Sequence, residues 1–337
     1  MDGTPNLSMN EALIALRAAG EETRLRILAL LSRGELTVSD FTDILGQSQP
    51  RISRHLKLLV ESGLVERHRE GAWAFFRLAD RARATRLLHP LLAALDGSDR
   101  NVVADKARLA EVRAQRAQAA QAYFAQLAPQ WDRLRSMHAS EKDVEGAVVE
   151  ALGEKPIYNL LDLGTGTGRM LRLIAPRAGR AVGLDASHAM LSVARANLEK
   201  AGLSRIELRQ GDIHAPPVEA NAFDLVIIHQ VLHYLDDPAR AVREASRLVA
   251  PGGRLLVVDF APHNLEFLRE TQAHRRLGFS REQIRDWLDD AGLDCALTRD
   301  LPPPAGVRDA LTVSIWLGQD RRIVTDWPLS PDNREVA

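Results

Sequence analysis

A glycine-rich segment near the middle of the chain carries the clearest chemistry of the sequence. Residues 160–169 read Leu-Leu-Asp-Leu-Gly-Thr-Gly-Thr-Gly-Arg, at the end of an apolar run. Glycines at a turn from a buried strand into a helix let a ligand approach bare backbone. Asp185 ends the next apolar run, where a carboxylate can bind both hydroxyls of a ribose. These residues predict a nucleoside site.

The spacing of the glycines distinguishes two kinds of ligand. Folds that bind dinucleotides carry Gly-x-Gly-x-x-Gly at this turn. This chain instead has Gly164, Gly166 and Gly168, with Asp162 two residues ahead of the first. A carboxylate beside the loop repels a pyrophosphate and attracts a cation such as a sulfonium with its ammonium group. The loop therefore favours a cationic ligand over a pyrophosphate.

A second segment, residues 48–59, has the pattern of a helix that reads DNA. Pro50 suits the first helical turn, and Ile52, Leu56 and Leu59 share one face, which can pack on a domain core. The opposite face keeps donors for phosphates and base edges, and a basic hairpin able to lie along a DNA backbone follows. The residues predicted to contact DNA are Gln49, Arg51, Ser53, Arg54, His55, Lys57, Arg67 and Arg69.

The charge of the chain is balanced overall but not locally. The 337 residues include 44 Lys+Arg and 45 Asp+Glu. Between Ile44 and Arg86, however, nine basic residues stand against four acidic ones. Such an excess supports a nucleic-acid partner. The alternative is a helical domain with a solvated basic face, which the order of helix, turn, helix and basic hairpin disfavours.

Short helices joined by turns make up the first part of the chain. The predicted helices span residues 10–32, 37–46 and 48–63, with another from Arg81. Ser39 and Ser48 are candidate N-caps. Residues 104–128 contain ten alanines and neither Gly nor Pro, which favours one long helix that serves as a connector or a dimer arm.

The pattern changes after Tyr158 to short apolar runs that alternate with amphipathic helices. The predicted strands are residues 159–163, 181–184, 206–209, 223–228 and 254–260, with two more within 294–317. This alternation predicts a parallel sheet with helices on both faces. The polar segment from Gly318 is predicted to be disordered.

The segment from Ala12 to Leu95 resembles the ArsR/SmtB family of winged-helix repressors. The resemblance implies a double-stranded DNA operator and a homodimer, with a seam near residues 12–19 and 87–95. Metal-sensing members carry Cys-x-Cys in the helix before the recognition pair, whereas this chain has Thr37-Val38-Ser39 there. His89 alone would remain for a second metal site. We therefore expect no metal, and an effector read by another domain.

Residues 123–317 resemble the class I S-adenosylmethionine (SAM) methyltransferases. Beyond the glycine loop and Asp185, three segments match in order: 210–213 after the third strand, 223–235 at the fourth, and 248–255 before the fifth. The resemblance implies a Rossmann-like fold that binds SAM or S-adenosylhomocysteine (SAH).

Residue roles follow from this resemblance by position. The glycines underlie the methionine part, Asp185 binds the ribose and Asp212 the adenine. The predicted cofactor-binding residues are Tyr123, Asp162, Gly164, Thr165, Gly166, Gly168, Asp185, Ala186, Met190, Asp212, Ile213 and His229. Tyr123, Phe124 and Trp131 precede the first strand, where related ubiquinone and menaquinone methyltransferases close over the cofactor; ordinary helix packing is the alternative.

The catalytic residues are harder to predict, because methyl transfer from a sulfonium is an in-line displacement helped mainly by proximity. Each candidate base has a structural role as its alternative. The candidates are His229, His233, Tyr234, His263 and His274. Arg275 and Arg276 either hold an anionic acceptor or form a solvated face, and we favour the solvated face. Arsenite methylation is disfavoured, since that family uses several cysteines.

Composition excludes several other classes of protein. The only cysteine, Cys295, excludes a disulfide framework and multi-cysteine zinc or iron–sulfur sites. Uncharged apolar runs fall short of the roughly 18 residues that a membrane span needs. The first ten residues also lack the pattern of a signal peptide. We therefore expect a cytoplasmic protein without membrane contact.

These observations predict an α/β protein of four segments: an ArsR-type winged-helix DNA-binding domain at 1–97, a helical linker at 98–130, a class I methyltransferase domain with a seven-stranded, mostly parallel sheet at 131–318, and a disordered tail at 319–337. Two functions remain open. One is a transcription regulator that senses SAM or SAH, for example over methionine or SAM-cycle genes. The other is a working small-molecule methyltransferase of the ubiquinone/menaquinone type, with an unknown acceptor and an auxiliary DNA-binding domain.

Overall fold

The computed structural model describes residues 7–70, 73–79, 82–128, 141–203, 206–303 and 310–322. The chain divides into two compact units. The first comprises residues 1–120 with 266–270, and the second comprises residues 121–265 with 271–337. The first unit thus extends past residue 97, the predicted end of the DNA-binding domain.

The first unit is a set of helices with a small antiparallel sheet. Its elements are α1 Met9–Ala19, α2 Glu22–Leu31, β1 Leu36–Thr37, α3 Val38–Leu45, α4 Gln49–Glu61, β2 Val65–Glu70, β3 Trp73–Leu78 and α5 Ala82–Ala93. The sheet has the order β1-β3-β2. Ile52, Leu56 and Leu59 of α4 are buried in one core with Ile27 and Ile44, as their spacing predicts.

Two local predictions in this unit are wrong. The helix predicted over residues 10–32 is broken, because Gly20 ends α1 and the extended Glu21 begins α2 by accepting from the Arg24 N–H at 2.9 Å. Ser39 is not an N-cap. Thr37 caps α3 instead, and its side chain and that of Asp40 each accept from the other's backbone N–H.

A long helix, α6, runs over Arg100–Leu127, close to the predicted 104–128. Its first part is held to the first unit by polar contacts. Asp105 accepts two hydrogen bonds from Arg26, at 2.8 and 2.6 Å. Arg108 donates to the Ile44 carbonyl at 2.9 Å, and Arg116 pairs with Asp40. Residues 100–120 are therefore part of the first unit.

The second unit is a sheet flanked by helices. Its elements are α7 Glu141–Leu152, β4 Ile157–Leu163, α8 Arg169–Ile174, β5 Ala178–Asp185, α9 His188–Lys200, β6 Glu207–Gln210, β7 Phe223–His229, α10 Pro238–Leu248, β8 Val249–Phe260, α12 Arg281–Asp290, β9 Leu293–Leu301 and β10 Val313–Asp320. A short helix, α11 Phe267–Thr271, precedes α12 in the chain, and all but its last residue belong to the first unit.

The sheet has the order β6-β5-β4-β7-β8-β10-β9. Every neighbouring pair is parallel except those of β10, which is antiparallel to β8 and to β9. The predicted seven-stranded, mostly parallel sheet is confirmed. The chain crosses from one side of β4 to the other between β6 and β7. Ligands of such sheets bind at the carboxyl ends of the strands beside that reversal.

The end of the sheet differs from the prediction. The tail was expected from residue 319, but β10 continues to Asp320. Arg321 and Arg322 follow it and are paired with Asp294 and Asp320, respectively, at 2.7 and 2.8 Å. The remaining predicted tail, residues 323–337, lies outside the described residues. Across the described helices, none is long and apolar enough to cross a membrane.

Candidate functional site

The glycine loop follows β4 and leads into α8. Gly164, Gly166 and Gly168 all have positive φ, at 72°, 53° and 79°. This conformation favours glycine, because a Cβ meets steric hindrance there. A Cβ on Gly164 would also lie 2.5 Å from Cγ2 of Val231. The loop therefore turns tightly at the carboxyl edge of the sheet, in backbone conformations that favour glycine.

Asp185 stands at the end of β5, beside this loop. Its two carboxylate oxygens accept from the Gly166 and Ser187 N–H groups, each at 2.8 Å. Burial raises the pKa of Asp185, although these two donors act in the opposite direction. A carboxylate has about four acceptor positions, so both oxygens keep capacity for ribose hydroxyls. Asp185 is therefore suited to bind the ribose of a nucleoside.

The other residues predicted to bind the cofactor lie in different environments. Asp162 is buried and accepts from the Thr165 hydroxyl at 2.7 Å, so it braces the loop from within. Met190 and Ile213 are buried near the ends of β5 and β6. Asp212 is exposed and accepts from the His214 N–H at 2.9 Å, while Ala186 is exposed.

A small cleft adjoins α8 and the end of β7. It is lined by Glu141, Val144, Glu145, Arg169, Met170, His229 and Gln230. His229 lies in this lining, and its contact with the cofactor stays a prediction. Arg169 pairs with both glutamates, at 2.7 Å from Glu145. Sequence reasoning did not identify these glutamates, because α7 carries no recognisable motif.

The candidate bases after β7 form a buried aromatic cluster with a carboxylate. His233 Nδ1 lies 2.7 Å from Asp259 Oδ1, and the two side chains are 1% and 0% exposed. The ring of His233 lies 4.0 Å from Tyr234 and 4.3 Å from His274, between ring centres. His263 is farther away, 6.4 Å from His274. Asp259 was missed, although a lone acid within the apolar run of β8 was a usable signal.

The interpretation of Arg275 and Arg276 as a solvated face is wrong. Arg276 is only 2% exposed and donates to the Asp236 carbonyl at 3.2 Å. Arg275 pairs with the Asp236 carboxylate at 2.8 Å. The backbone N–H groups of both arginines donate to the His233 carbonyl, at 2.8 and 3.0 Å. The arginines therefore hold the turn that carries His233.

The predicted aromatic cluster before β4 is described in part. Tyr123 and Phe124 lie near the end of α6, and the Phe124 ring meets Tyr234 edge-on at 4.8 Å. Burial raises the pKa of Tyr123, so its hydroxyl stays a hydrogen-bond donor at neutral pH. Trp131 lies outside the described residues.

The proposed DNA-contacting face is accessible in the first unit. The side chains of the predicted set on α4 and on β2 are exposed, apart from His55: Gln49, Arg51, Ser53, Arg54, Lys57, Arg67 and Arg69. Ile52, Leu56 and Leu59 of α4 are buried in the core. The two faces of α4 are separated as the sequence predicts.

His55 departs from this pattern, because its side chain is not exposed. Its side chain is 13% exposed and lies 3.5 Å from the Glu21 carboxylate. Burial lowers the pKa of His55, although Glu21 opposes that shift. A half-buried imidazole with a lowered pKa is less suited to a phosphate contact than the exposed arginines beside it. We therefore leave His55 out of the proposed DNA contacts.

Arg54→Ala should weaken operator binding by about 1–3 kcal/mol if the side chain reads a base edge. Affinity for duplex DNA selected from a random pool would be measured by mobility shift, with Arg172→Ala, in the other unit, as the matched control. The affinity should also fall steeply with salt. Unchanged affinity of Arg54→Ala would remove Arg54 from the contact set.

SAM binding should weaken on acidification. Only the carboxylate form of Asp185 accepts from both ribose hydroxyls, and burial raises the pKa of this group. Below that pKa the affinity should fall by roughly tenfold per pH unit. Calorimetric titration with SAM at successive pH values measures this, and the decline should begin above the usual range of an aspartate. Constant affinity through that range would contradict the role of Asp185.

Comparison with known proteins finds a matching family for two separate segments of the chain. The sequence profile of a "Methyltransferase domain" matches residues 161–257, and that of a "Bacterial regulatory protein, arsR family" matches residues 21–67. The 2-phytyl-1,4-naphtoquinone methyltransferase of Thermosynechococcus vestitus is 35% identical over 160 residues, which cover 45% of this chain and 69% of that protein.

Two further relatives match over shorter shares of their own length. The demethylmenaquinone methyltransferase of Thermus thermophilus is 38% identical over 41% of this chain and 64% of that protein. An uncharacterized 37.1 kDa protein in transposon TN4556 of Streptomyces fradiae is 32% identical over 56% of this chain and 58% of that protein. The chain thus spans about three fifths of these two relatives.

The glycine loop, the carboxylate at the end of β5 and these matches lead to one conclusion. The chain belongs to the SAM-dependent methyltransferases and carries an ArsR-family DNA-binding domain ahead of its methyltransferase domain.

Proposed function

We propose that the protein is a transcription regulator whose affinity for its DNA operator depends on SAM or SAH. The observation that carries this proposal is the unbroken helix α6. Residues 100–120 of this helix belong to the first unit, and its last residues belong to the second. A continuous helix transmits a change at one end better than a flexible linker does.

Contacts inside each unit support this coupling. In the first unit, Asp105 on α6 is hydrogen-bonded to Arg26 of α2. In the second, Phe124 packs on Tyr234, and Val231, three residues earlier, abuts Gly164 of the cofactor loop. Ordering of that loop by a ligand would therefore act on the segment against which the end of α6 packs. A ligand shifts an equilibrium only if it binds the two states with different affinity.

We further propose a cytoplasmic homodimer. The exposed apolar side chains Met9, Leu13 and Leu16 on α1 and Leu91 on α5 support the predicted seam. A twofold dimer matches a palindromic operator with two half-sites.

The ligand should change operator affinity by roughly 5- to 150-fold, the usual range of allosteric coupling. Duplex DNA selected by the protein from a random pool would be titrated without ligand, with SAM and with SAH. Asp185→Ala is the matched variant, which should bind DNA normally and show no ligand effect. Equal affinity in all three wild-type conditions, despite calorimetric saturation, would refute the regulator.

A second function is favoured by a separate observation, the buried His233–Asp259 pair. A histidine oriented by a carboxylate is a common proton acceptor in enzymes. We propose transfer of the SAM methyl group to a small molecule as the second candidate. Two of the relatives are methyltransferases of demethylmenaquinone and of 2-phytyl-1,4-naphthoquinone, which makes quinones the first acceptors to test. Radiolabelled methyl transfer to a panel of quinones distinguishes this function from sensing alone.

A further inference from the structure

His233 has a ring nitrogen without an obvious structural purpose. Its Nδ1 faces Asp259 Oδ1, which also accepts from the Phe260 N–H at 2.8 Å. Its Nε2 is buried and has no hydrogen-bond partner in the part of the chain that the structure describes. Leaving a buried polar atom unpaired costs free energy, so such atoms in folded proteins call for an explanation.

The carboxylate determines which nitrogen of His233 carries the proton. A carboxylate only accepts hydrogen bonds, so Nδ1 is the donor when Asp259 is ionised. In the neutral imidazole, Nε2 then presents a bare lone pair. Asp259 also stabilises the imidazolium that forms when Nε2 takes up a proton, as the carboxylate of a catalytic triad does. The pair is therefore arranged to accept a proton at Nε2.

The position of His233 suits a role at the reacting centre. It lies on the turn at residues 232–234, directly after β7, at the carboxyl edge of the sheet. Val231 on the same segment abuts the cofactor loop at Gly164. The His233 carbonyl is already held by two backbone N–H groups, so the turn does not need Nε2 to fix it.

The surroundings of His233 indicate the class of acceptor. The rings of Tyr234, Phe260 and His274 lie within 5 Å of the His233 ring, between ring centres. Aromatic side chains of this kind favour a planar partner through offset stacking and edge contacts. A hydroxyl on that ring is a poor nucleophile until it loses its proton, whereas an amine already has a free lone pair and a thiol ionises readily.

We propose that His233 is the general base for methyl transfer to a hydroxyl group on an aromatic acceptor, with Asp259 as its positioning residue. The inference rests on the proposed transfer activity. As the acceptor oxygen forms its bond to the methyl carbon, the carbon–sulfur bond of SAM breaks and its electron pair stays on the sulfur of SAH. The acceptor proton goes to His233 Nε2 and from there to solvent.

Two phenols distinguish a general base at His233 from a residue with only a structural role. At about pH 8 phenol is neutral, as a tyrosine side chain is, whereas 4-nitrophenol is largely ionised and needs no base. Transfer of tritiated methyl groups from SAM would be measured for both. His233→Asn should lower transfer to phenol by roughly 100-fold or more, as loss of a general base does, and transfer to 4-nitrophenol far less.

Two further variants complete the comparison. Asp259→Asn should show the same selective loss on phenol, because an amide can donate to Nδ1 and leave the proton on Nε2. Asp43→Asn, an exposed change in the first unit, should leave both rates unchanged. Calorimetry with SAM verifies that each variant still folds and binds. Equal losses on both phenols would identify a structural brace and overturn the assignment.

A measurement without turnover provides an independent check. In ¹⁵N spectra of the SAH complex, His233 should carry its proton on Nδ1, and the Nε2 signal should move when phenol is added. A proton on Nε2, or no response to phenol, would overturn the assignment of His233. Failure of the proposed transfer activity has a different signature, which is wild-type protein that binds SAM but methylates neither phenol.

Discussion

Asp185→Ala is expected to lower the affinity for SAM by roughly 100-fold or more. The carboxylate offers two acceptors to the ribose hydroxyls, and hydrogen bonds to a charged group contribute about 1.5–3 kcal/mol each. The substitution also frees the Gly166 N–H, which loses its 2.8 Å partner in the cofactor loop. Both effects act on the same ligand. Isothermal calorimetry with SAM and with SAH measures the loss directly.

The matched control for this variant is Asp286→Ala on α12, an exposed carboxylate outside the site. It should bind SAM as the wild type does. If Asp185→Ala bound SAM with an affinity within a factor of three of the wild-type value, the proposed contact between Asp185 and the ribose would be refuted.

Gly164→Ala is expected to abolish SAM binding and to lower the free energy of unfolding by about 3 kcal/mol, combining left-handed backbone strain with overpacking. The new Cβ would lie 2.5 Å from Val231 Cγ2 and 3.0 Å from its Cγ1. Either Val231 or the loop must move, and the loop is the part that a ligand approaches. Calorimetry and urea unfolding report the two effects.

A second substitution tests the physical cause. Val231→Ala removes both methyl groups that the new Cβ would meet, so the double variant should regain part of the lost stability. The strain of φ +72° at position 164 should remain, because it does not depend on Val231. Double-mutant analysis of the four proteins isolates the clash. Strictly additive losses would show that the contact with Val231 is not the cause.

The architecture of the second unit could be predicted because its strands are short, apolar runs separated by helices. The predicted ends of the strands were less accurate where tertiary contacts determine them. Residues 248–255 were expected as a turn before the fifth strand, predicted over 254–260, yet β8 begins at Val249 and accommodates the extra residues through a shift in its register with β7. A glycine-containing run suggests a turn. Only its pairing with the neighbouring strand shows that it forms a β-bulge instead.

The candidate site was predicted where one segment holds the whole pattern, and missed where two segments meet. Gly164 and Asp162 are close in sequence, so their spacing carries the signal. Asp259 reaches His233 from a different strand, and no local pattern links a histidine after β7 to an acid on β8. The burial of Arg276 was unpredictable for the same reason, since a run of charges looks solvated until its partners are known.

The anchoring of α6 has a practical consequence for dividing the protein. A fragment that ended at residue 97 would lack Asp105 and Arg116. Arg26 and the buried Asp40 would then lose these partners. A fragment that ended after Ala120 keeps both pairs. Binding studies on an isolated DNA-reading domain should therefore use the longer piece, since the shorter one would report instability as weak recognition.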